Sequence, residues 1–193
     1  MLLKHRREVR MAISSALRLA EGDANAAVLG GLTDEEMRAV CDWATEDVGK
    51  TVVEVGTLFG LTAREIAGRI VNGRVVAVDN FSWNPLGLPA AVHEDFTRRI
   101  LRGTNVEIWK MDSAAFRAKA KELERIDMVF FDADHRYDAV KAELLWAKAF
   151  GIPQICGHDY GNPNPVFGVT RAVDEVFGKE NVEVVGMCWR VKR

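Results

Sequence analysis

Side chains that could do chemistry follow a series of short apolar segments along this chain. Each segment is predicted to form a buried strand. Polar residues stand at or just past the ends of these strands: Glu54, Asp79, Asp112, Asp132 and Asp134, and finally His158 and Asp159. If the segments are neighbouring parallel strands, their carboxyl ends lie along one edge of a sheet, where open α/β sheets bind ligands. A row of carboxylates at that edge suits hydroxyls, amines or a metal cation, and it suits a bound phosphate poorly.

The first of these segments leads into a turn with the sequence E-V-G-T-L-F-G. Gly56 allows the backbone to turn sharply and to approach a ligand closely, and Gly60 allows tight packing of the helix that follows. A dinucleotide-binding turn needs a third glycine where this chain has Leu58, so a pyrophosphate would lose its close approach. The carboxylate of Glu54 repels phosphate and attracts an ammonium or sulfonium group. A purely structural turn is the alternative interpretation.

Two acids that follow later strands have both a binding and a structural interpretation. Asp79 ends the second strand, where an acidic side chain can accept hydrogen bonds from both ribose hydroxyls of a nucleotide. It could equally cap the turn that follows. Asp112 follows the third strand, and its alternative role is that of a helix N-cap.

Strand and helix patterns alternate from Thr51 onward, which predicts an α/β fold with a doubly wound, mainly parallel sheet. The predicted strands cover 51–55, 74–79, 106–111, 127–131, 154–157 and a terminal pair over 182–191, and the predicted helices cover 61–70, 89–101, 113–123, 139–150 and 169–177. Before the sheet we predict a helix over 2–21 and a second helix that begins with a capping box of Thr33 and Glu36. The whole chain, 1–193, is expected to be one domain, with 1–50 as a helical extension and 51–193 as the core.

The bulk composition excludes several classes of protein. The chain has 193 residues, of which 48% are hydrophobic, and a net charge of −2. A nucleic-acid-binding protein is expected to carry a strongly basic surface, and this overall charge does not indicate one. No signal peptide or membrane-spanning run is apparent, and Cys41, Cys156 and Cys188 are far apart and odd in number. We therefore expect a cytoplasmic protein with reduced core cysteines and no membrane partner. The apolar stripe of the first helix needs a covering surface, either its own sheet or a second subunit in a homodimer.

Three segments together resemble the cofactor motifs of class I S-adenosylmethionine-dependent methyltransferases: E-V-G-T-L-F-G, V-A-V-D and M-D-S-A. The resemblance implies a seven-stranded, Rossmann-like sheet and S-adenosylmethionine as the cofactor. It also implies a set of cofactor-binding residues, from the methionine end through the ribose to the adenine and the methyl group: Glu54, Gly56, Thr57, Gly60, Asp79, Asn80, Asp112, Ser113 and Asp132.

The segments F-F-D-A-D-H-R-Y and G-H-D-Y are similar to the D-G-D-H-S-Y-E and G-H-D-Y motifs of small-molecule O-methyltransferases of the macrocin type. This resemblance implies methyl transfer to a hydroxyl of a small molecule, with Asp132, Asp134 and His158 as catalytic residues. Asp132, His158 and Asp159 are the expected ligands of a divalent cation, Mg²⁺ or Mn²⁺. Relatives that bind Mg²⁺ often carry Asp-Asp where this chain has His-Asp, which leaves softer cations open.

Other interpretations of the same residues remain open. Without a metal, His158 or His135 would act as the base, and in a purely structural interpretation the polar residues cap helices or pair with Arg136 or Lys141. At the level of function, the alternatives are a nicotinamide-dependent oxidoreductase and a non-catalytic subunit that binds S-adenosylmethionine.

The acceptor pocket is assigned to two loops. The loop over 80–93 carries Trp83 and other apolar side chains and has the length of a lid. Trp83 is expected either to cover an apolar or ring-shaped acceptor or to pack on the N-terminal helices. Tyr160 and the segment over 161–165 are expected to form the opposite wall.

Overall fold

A seven-stranded sheet lies at the centre of the computed structural model, which describes residues 31–46 and 50–193. The strands are β1 (Thr51–Val55), β2 (Arg74–Asp79), β3 (Val106–Lys110), β4 (Met128–Phe131), β5 (Gln154–Gly157), β6 (Val182–Val185) and β7 (Cys188–Val191). Their order across the sheet is β3-β2-β1-β4-β5-β7-β6. The first five strands are parallel and β7 is antiparallel to both of its neighbours. The predicted seven-stranded, mainly parallel sheet is confirmed.

Helices connect these strands and cover both faces of the sheet. They are α1 (Asp34–Thr45), α2 (Leu61–Arg69), α3 (Ala90–Ile100), α4 (Ser113–Lys119), α5 (Tyr137–Phe150) and α6 (Val169–Phe177), with 3₁₀ turns at Ala120–Leu123 and Lys179–Asn181. Among the helices of the described residues, none combines the length and apolarity that a membrane crossing requires. The helix predicted over 2–21 lies outside the described residues.

Alternation along the strands explains why helices cover both faces. In β1, Val53 and Val55 pack in one apolar cluster, while Val52 packs in the other. The first cluster includes residues of α4, α5 and α6, and the second includes residues of α1 and α2. Strands buried on both faces are typical of parallel sheets, since their crossover helices shield each side from water.

Local sequence signals place the helix ends. The capping box predicted at the start of α1 is present: Thr33 accepts a hydrogen bond from the backbone N–H of Glu36, whose side chain accepts one from the backbone N–H of Thr33. Gly151 ends α5 in the left-handed conformation at φ 77°, as glycine commonly does at a helix C-terminus. Two bounds differ from the prediction: α5 begins at Tyr137 rather than at residue 139, and the helix predicted over 113–123 is α-helical to Lys119 and 3₁₀ from Ala120 to Leu123.

The three cysteines are buried and free, as predicted. Burial raises the pKa of Cys41 to about 11 and also raises the pKa values of Cys156 and Cys188. All three therefore remain thiols at neutral pH and behave as small apolar core residues.

Candidate active site

The strand order brings the predicted polar residues to one edge of the sheet. Parallel registers connect β3, β2, β1, β4 and β5 side by side, so their carboxyl ends are neighbours. The residues that follow these ends, from one side to the other, are Asp112, Asp79, Gly56, Asp132 and His158. The site therefore combines segments that are far apart in sequence, as ligand sites in open α/β sheets do.

Gly56 turns the chain sharply after β1 and allows a close approach to the protein backbone that follows β4. Its φ angle is +95°, and a Cβ at this position would lie 2.2 Å from the carbonyl oxygen of Asp132 and 2.7 Å from the Cα of Ala133. The sharp turn predicted at Gly56 is present, and the predicted close approach of its backbone to a ligand stays a prediction. The absence of a side chain at Gly56 lets the ends of β1 and β4 meet.

Gly60 serves the helix packing that was predicted for it. It precedes α2 in the left-handed conformation at φ 80°, and a Cβ there would lie 3.0 Å from the side chain of Leu101. Between the two glycines, Leu58 also has a positive φ angle of 49°. Its N–H donates to Asp79 and its carbonyl accepts a hydrogen bond from Thr97, so the loop is held from two sides.

Asp79 has both a structural role and spare hydrogen-bonding capacity. Its Oδ2 accepts from the N–H of Leu58 at 2.8 Å, and its Oδ1 accepts from the N–H of Phe81 at 2.7 Å. A carboxylate has about four acceptor positions, so each oxygen can still accept from a ribose hydroxyl. The side chain of Asn80, next to it, is exposed and accepts a hydrogen bond from the N–H of Ser82.

Glu54 is buried within β1 and is only 2% exposed. Its carboxyl group accepts a hydrogen bond from the hydroxyl of Thr57. Burial raises the pKa of Glu54 to about 8, and the nearby charges of Asp132 and Asp79 act in the same direction. The side chain is therefore mostly protonated at neutral pH, and a cationic group bound beside it would favour its ionised form.

The residues assigned to the adenine lie at the start of α4. Asp112 is exposed and caps this helix, since its Oδ1 accepts from the N–H of Ala115 at 2.8 Å. The cap was the alternative interpretation of Asp112, and the exposed carboxylate keeps acceptor positions for a ligand as well. Ser113 is half-buried beside it.

Two carboxylates and two imidazoles converge after β4 and β5. The Nε2 of His135 lies 3.3 Å from an oxygen of Asp132 and 3.0 Å from an oxygen of Asp159. Burial lowers the pKa of His135, but its hydrogen bonds with the two carboxylates outweigh burial and raise the pKa to about 10. His135 is therefore an imidazolium at neutral pH, which balances part of the charge of the acidic pair and argues against its predicted alternative role as a base.

His158 lies beside the same carboxylates. Its Nδ1 is 3.5 Å from an oxygen of Asp159 and 3.9 Å from an oxygen of Asp132. Burial lowers the pKa of His158, but the surrounding carboxylates outweigh it and raise the pKa to about 8. Ligand atoms of Asp132, His158 and Asp159 all lie within 4.8 Å of one another, so the structure brings the three predicted metal ligands together.

The pKa values of the two acids of this cluster shift in opposite directions. Burial raises the pKa of Asp132 despite the opposing effect of the two histidines. Burial acts to raise the pKa of Asp159, but its contacts with the same two histidines outweigh burial and hold the pKa well below its usual range. Asp159 has a φ angle of +64°, an uncommon backbone conformation for a residue with a side chain.

Asp134 does not join this cluster through a hydrogen bond. It forms an ion pair with Arg136, whose guanidinium donates to both carboxylate oxygens. This contact with Arg136 holds the pKa of Asp134 below its usual value, which weakens it as a proton acceptor. The pairing with Arg136 was the structural alternative for this predicted catalytic residue.

Three neighbours of the cluster were not predicted as site residues. The ring of Phe167 stacks on His135 with centroids 4.4 Å apart, and the side chain of Asn162 donates to Asp159. Glu36 of α1 lies 3.5 Å from the Nε2 of His158. The sequence identified Glu36 only as a helix cap, because its contact with His158 depends on how α1 packs on the sheet.

Of the two predicted acceptor loops, the one after β5 contacts this cluster, since Asn162 donates a hydrogen bond to Asp159. Trp83 is 69% exposed, so it is not buried against the described part of the N-terminal region. Tyr160 donates a hydrogen bond to Asp174 at 2.7 Å, and Val166 beyond it is 68% exposed. Large exposed apolar side chains in these loops are available to contact an acceptor.

Comparison with protein families gives a match over residues 53–154 to the family described as "Methyltransferase domain". Comparison with curated protein sequences gives no significant match. The family match favours the methyltransferase interpretation over the nicotinamide-dependent oxidoreductase.

Solved structures share the same fold at low sequence identity. An O-methyltransferase from Bacillus cereus in complex with SAH is 19% identical, with 98% of this chain and 91% of that chain covered and a TM-score of 0.60. A methyltransferase from Geobacter sulfurreducens is 17% identical, with 94% and 93% covered and a TM-score of 0.61. Fibrillarin from Aeropyrum pernix with natively bound S-adenosyl-L-methionine is 15% identical, with 81% and 75% covered and a TM-score of 0.52. These similarities identify the class I methyltransferase fold.

Proposed function

This chain belongs to the methyltransferase domain family, and we propose that it transfers the methyl group of S-adenosylmethionine to a hydroxyl of a small molecule. The observation that carries the proposal is the convergence of Asp132, His158 and Asp159 beside the glycine-containing turn. The edge to which we assign the cofactor and a group that can accept a proton are thus adjacent, which is what transfer to an oxygen requires.

The cofactor is proposed to lie across the ends of β1, β2 and β3. Asp79 would accept hydrogen bonds from the ribose hydroxyls, and Asp112 and Ser113 would face the adenine. The methionine end would lie near Glu54 and Thr57, where its ammonium group would compensate the ionised Glu54 carboxylate. The high pKa of Glu54, about 8, supports this placement, because a buried carboxyl next to Asp79 and Asp132 lacks a cationic partner among its strongest neighbours.

The reaction itself is an in-line displacement. The acceptor oxygen forms a bond to the methyl carbon as the carbon–sulfur bond breaks, and the sulfur retains the electron pair and becomes a neutral thioether. The hydroxyl proton must pass to a base, which typically contributes about 10²–10⁴-fold to the rate. We assign this role to His158, because its pKa of about 8 is close to neutral pH, whereas His135 is held as an imidazolium and Asp134 is paired with Arg136.

Asp132, His158 and Asp159 also suit a divalent cation. Their two carboxylates and one imidazole fit Mn²⁺ or a softer ion better than Mg²⁺, which prefers oxygen ligands. A bound cation would lower the pKa of the acceptor hydroxyl and orient it. The imidazolium of His135 now lies between the two carboxylates, so a cation would compete with it for the same oxygens.

Calorimetric titration with S-adenosylhomocysteine tests the cofactor site. The wild type is expected to bind, and Asp79→Ala is expected to bind about 10–100-fold more weakly, as for the loss of hydrogen bonds to a charged group. Asp95→Ala is the matched control, because Asp95 is an exposed acid on α3 that pairs with Arg99. Absence of binding to the wild type would reject the proposal.

Incubation with methyl-labelled S-adenosylmethionine tests the acceptor class. In a panel of small phenols, sugars and the corresponding amines, the phenols or sugars are expected to give labelled methyl ethers, and methylation of the amines alone would refute transfer to oxygen. The same assay with a chelator, followed by added Mn²⁺, tests whether a bound cation or the imidazolium of His135 balances the charge of Asp132 and Asp159. Activity that is lost and then restored assigns the site to a cation, and activity that is unchanged assigns the balancing charge to His135.

A further inference from the structure

Glu36 is a charged residue buried at the contact between α1 and the sheet. It is 3% exposed, and its Oε2 accepts hydrogen bonds from the N–H of Thr33 at 2.8 Å and from the Thr33 hydroxyl at 2.9 Å. Its Oε1 accepts from the N–H of Met187 at 2.7 Å, in the turn between β6 and β7. Burial raises the pKa of Glu36, but these hydrogen bonds and the charge of His158 lower it below the usual value, so the side chain is a carboxylate.

The turn between β6 and β7 is shaped around this carboxylate. Gly186 has a φ angle of +61°, and a Cβ at this position would lie 2.4 Å from Oε1 of Glu36. A side chain at residue 186 would therefore displace the carboxylate. Contacts with Thr33, Met187 and Gly186 fix Glu36 from two elements, which leaves it little freedom to move away from His158.

The imidazole of His158 lies between Glu36 and the acidic pair of the site. Its Nε2 is 3.5 Å from Oε1 of Glu36, and this buried nitrogen has no hydrogen-bond partner of standard geometry in the described part of the chain. Its Nδ1 faces Asp132 and Asp159. Each nitrogen of His158 therefore has a carboxylate as its neighbour, and a neutral imidazole has only one hydrogen to share between them.

The two carboxylate neighbours of His158 differ in their other contacts. Asp132 and Asp159 both contact the Nε2 of His135, whereas the hydrogen bonds to Glu36 come from the neutral groups of Thr33 and Met187. A lone pair on the buried Nε2 of His158 would face the Glu36 carboxylate with no hydrogen between them. A lone pair on Nδ1 lies on the side of the site and can accept a hydrogen bond from a bound hydroxyl.

We infer that Glu36 is a positioning residue that keeps the hydrogen of neutral His158 on Nε2 and thereby leaves the Nδ1 lone pair facing the acceptor. A carboxylate that fixes the tautomer of a functional histidine in this way is a known device in both base and metal-ligand sites. The inference rests on the proposed function in giving His158 a role, but the position of the hydrogen can be measured without any methyl transfer.

A metal ion between Glu36, His158 and Cys188 is a weaker interpretation. Ligand atoms of these residues lie within 4.8 Å of one another. However, the Glu36 carboxylate already accepts three hydrogen bonds, and burial raises the pKa of the Cys188 thiol so that it stays protonated. Both effects oppose cation binding and favour the pairing of Glu36 with His158.

The test is a nuclear magnetic resonance experiment on the full chain with ¹⁵N-labelled histidine. The chain has only four histidines, so substitution of each one assigns the ring signals. At a pH above the value of about 8 for His158, its neutral ring is expected to carry the hydrogen on Nε2. A wild-type spectrum with the hydrogen on Nδ1 would overturn the inference on its own, even if every variant failed to fold.

Two variants separate the tautomer from the stability of α1. Glu36→Ala is expected to move the hydrogen of His158 to Nδ1 and to lower kcat by about 10–100-fold, with the affinity for S-adenosylhomocysteine unchanged. Glu35→Ala removes an exposed acid from the same first turn of α1 but leaves every contact of Glu36 in place, so it is expected to keep the wild-type tautomer and kcat. An unchanged tautomer in folded Glu36→Ala would refute the positioning role. If no acceptor is ever methylated but the tautomer follows Glu36 as described, the proposed function fails and the inference stands.

Discussion

Replacing Gly56 with alanine should destabilise the protein more than any ordinary substitution of a turn glycine. The backbone at Gly56 has a φ angle of +95°, and the left-handed region costs a residue with a side chain about 1–2 kcal/mol. The new methyl group would also lie 2.2 Å from the carbonyl oxygen of Asp132. Because that atom is backbone, no side-chain rotation relieves the contact, and overpacking of this kind typically costs about 1–3 kcal/mol more. The expected total is about 2–5 kcal/mol.

Gly103→Ala is the matched control for this substitution. Gly103 also has a positive φ angle, +80°, but an added Cβ would have nothing within 4 Å among the described residues. The Gly103→Ala variant should therefore lose only the free energy of unfolding that comes from the backbone conformation, about 1–2 kcal/mol. Denaturant unfolding of both variants isolates the contact with Asp132 as the difference, and thermal unfolding should show about 2–4 °C for each kcal/mol in a chain of this size.

The same substitution should also affect the site. The clash pushes apart the ends of β1 and β4, so Gly56→Ala is expected to weaken the binding of S-adenosylhomocysteine while Gly103→Ala leaves it unchanged. If Gly56→Ala lost no more stability than Gly103→Ala, the reasoning that this glycine exists to join the two strand ends would be wrong.

Three further predictions concern buried acids and the acceptor loop. Burial raises the pKa of Glu143 to about 7, and the folded state then holds a proton that the unfolded chain loses near 4.5, so stability falls as the pH rises between these values. Glu143→Leu should therefore gain up to about 3 kcal/mol over the wild type above pH 7 and less at pH 5, and a gain that does not grow with pH would contradict this cause. Binding of S-adenosylhomocysteine should release a proton from Glu54 below its pKa of about 8, measured by calorimetry in buffers of different ionisation enthalpy, and Glu54→Gln should abolish the release. Trp83→Ala should raise the acceptor KM, leave cofactor affinity unchanged and alter stability by no more than about 0.5 kcal/mol, since Trp83 is 69% exposed; weakened cofactor binding would refute the assignment.

Local patterns in the sequence were sufficient to predict most of the fold. The apolar runs and their flanking glycines identified all seven strands to within a residue or so, and the capping box of Thr33 and Glu36 identified the start of α1. These features follow from interactions between residues close in sequence, such as helix caps and the alternation of buried side chains. Because parallel strands must align their carboxyl ends, the same patterns also predicted that Asp79, Asp132 and His158 would share one edge.

The contacts of each site residue could not be predicted from the sequence. Nothing in the sequence distinguishes Asp134, which pairs with Arg136, from Asp132, which faces two histidines. Their neighbouring positions after β4 point the two side chains to different surroundings, and those surroundings come from other strands and loops.

The sequence by itself determined the alternation of strands and helices, the polar residues that stand at the strand ends and the chemical character of those residues, because strand pattern and residue type are local properties. Only the tertiary structure decided that Gly56 makes room for the backbone of Asp132, that His135 is held as a cation between two carboxylates, and that Glu36 meets His158 from the helix before the sheet. These outcomes depend on distances between distant segments, and charge and burial act through those distances rather than through separation along the chain.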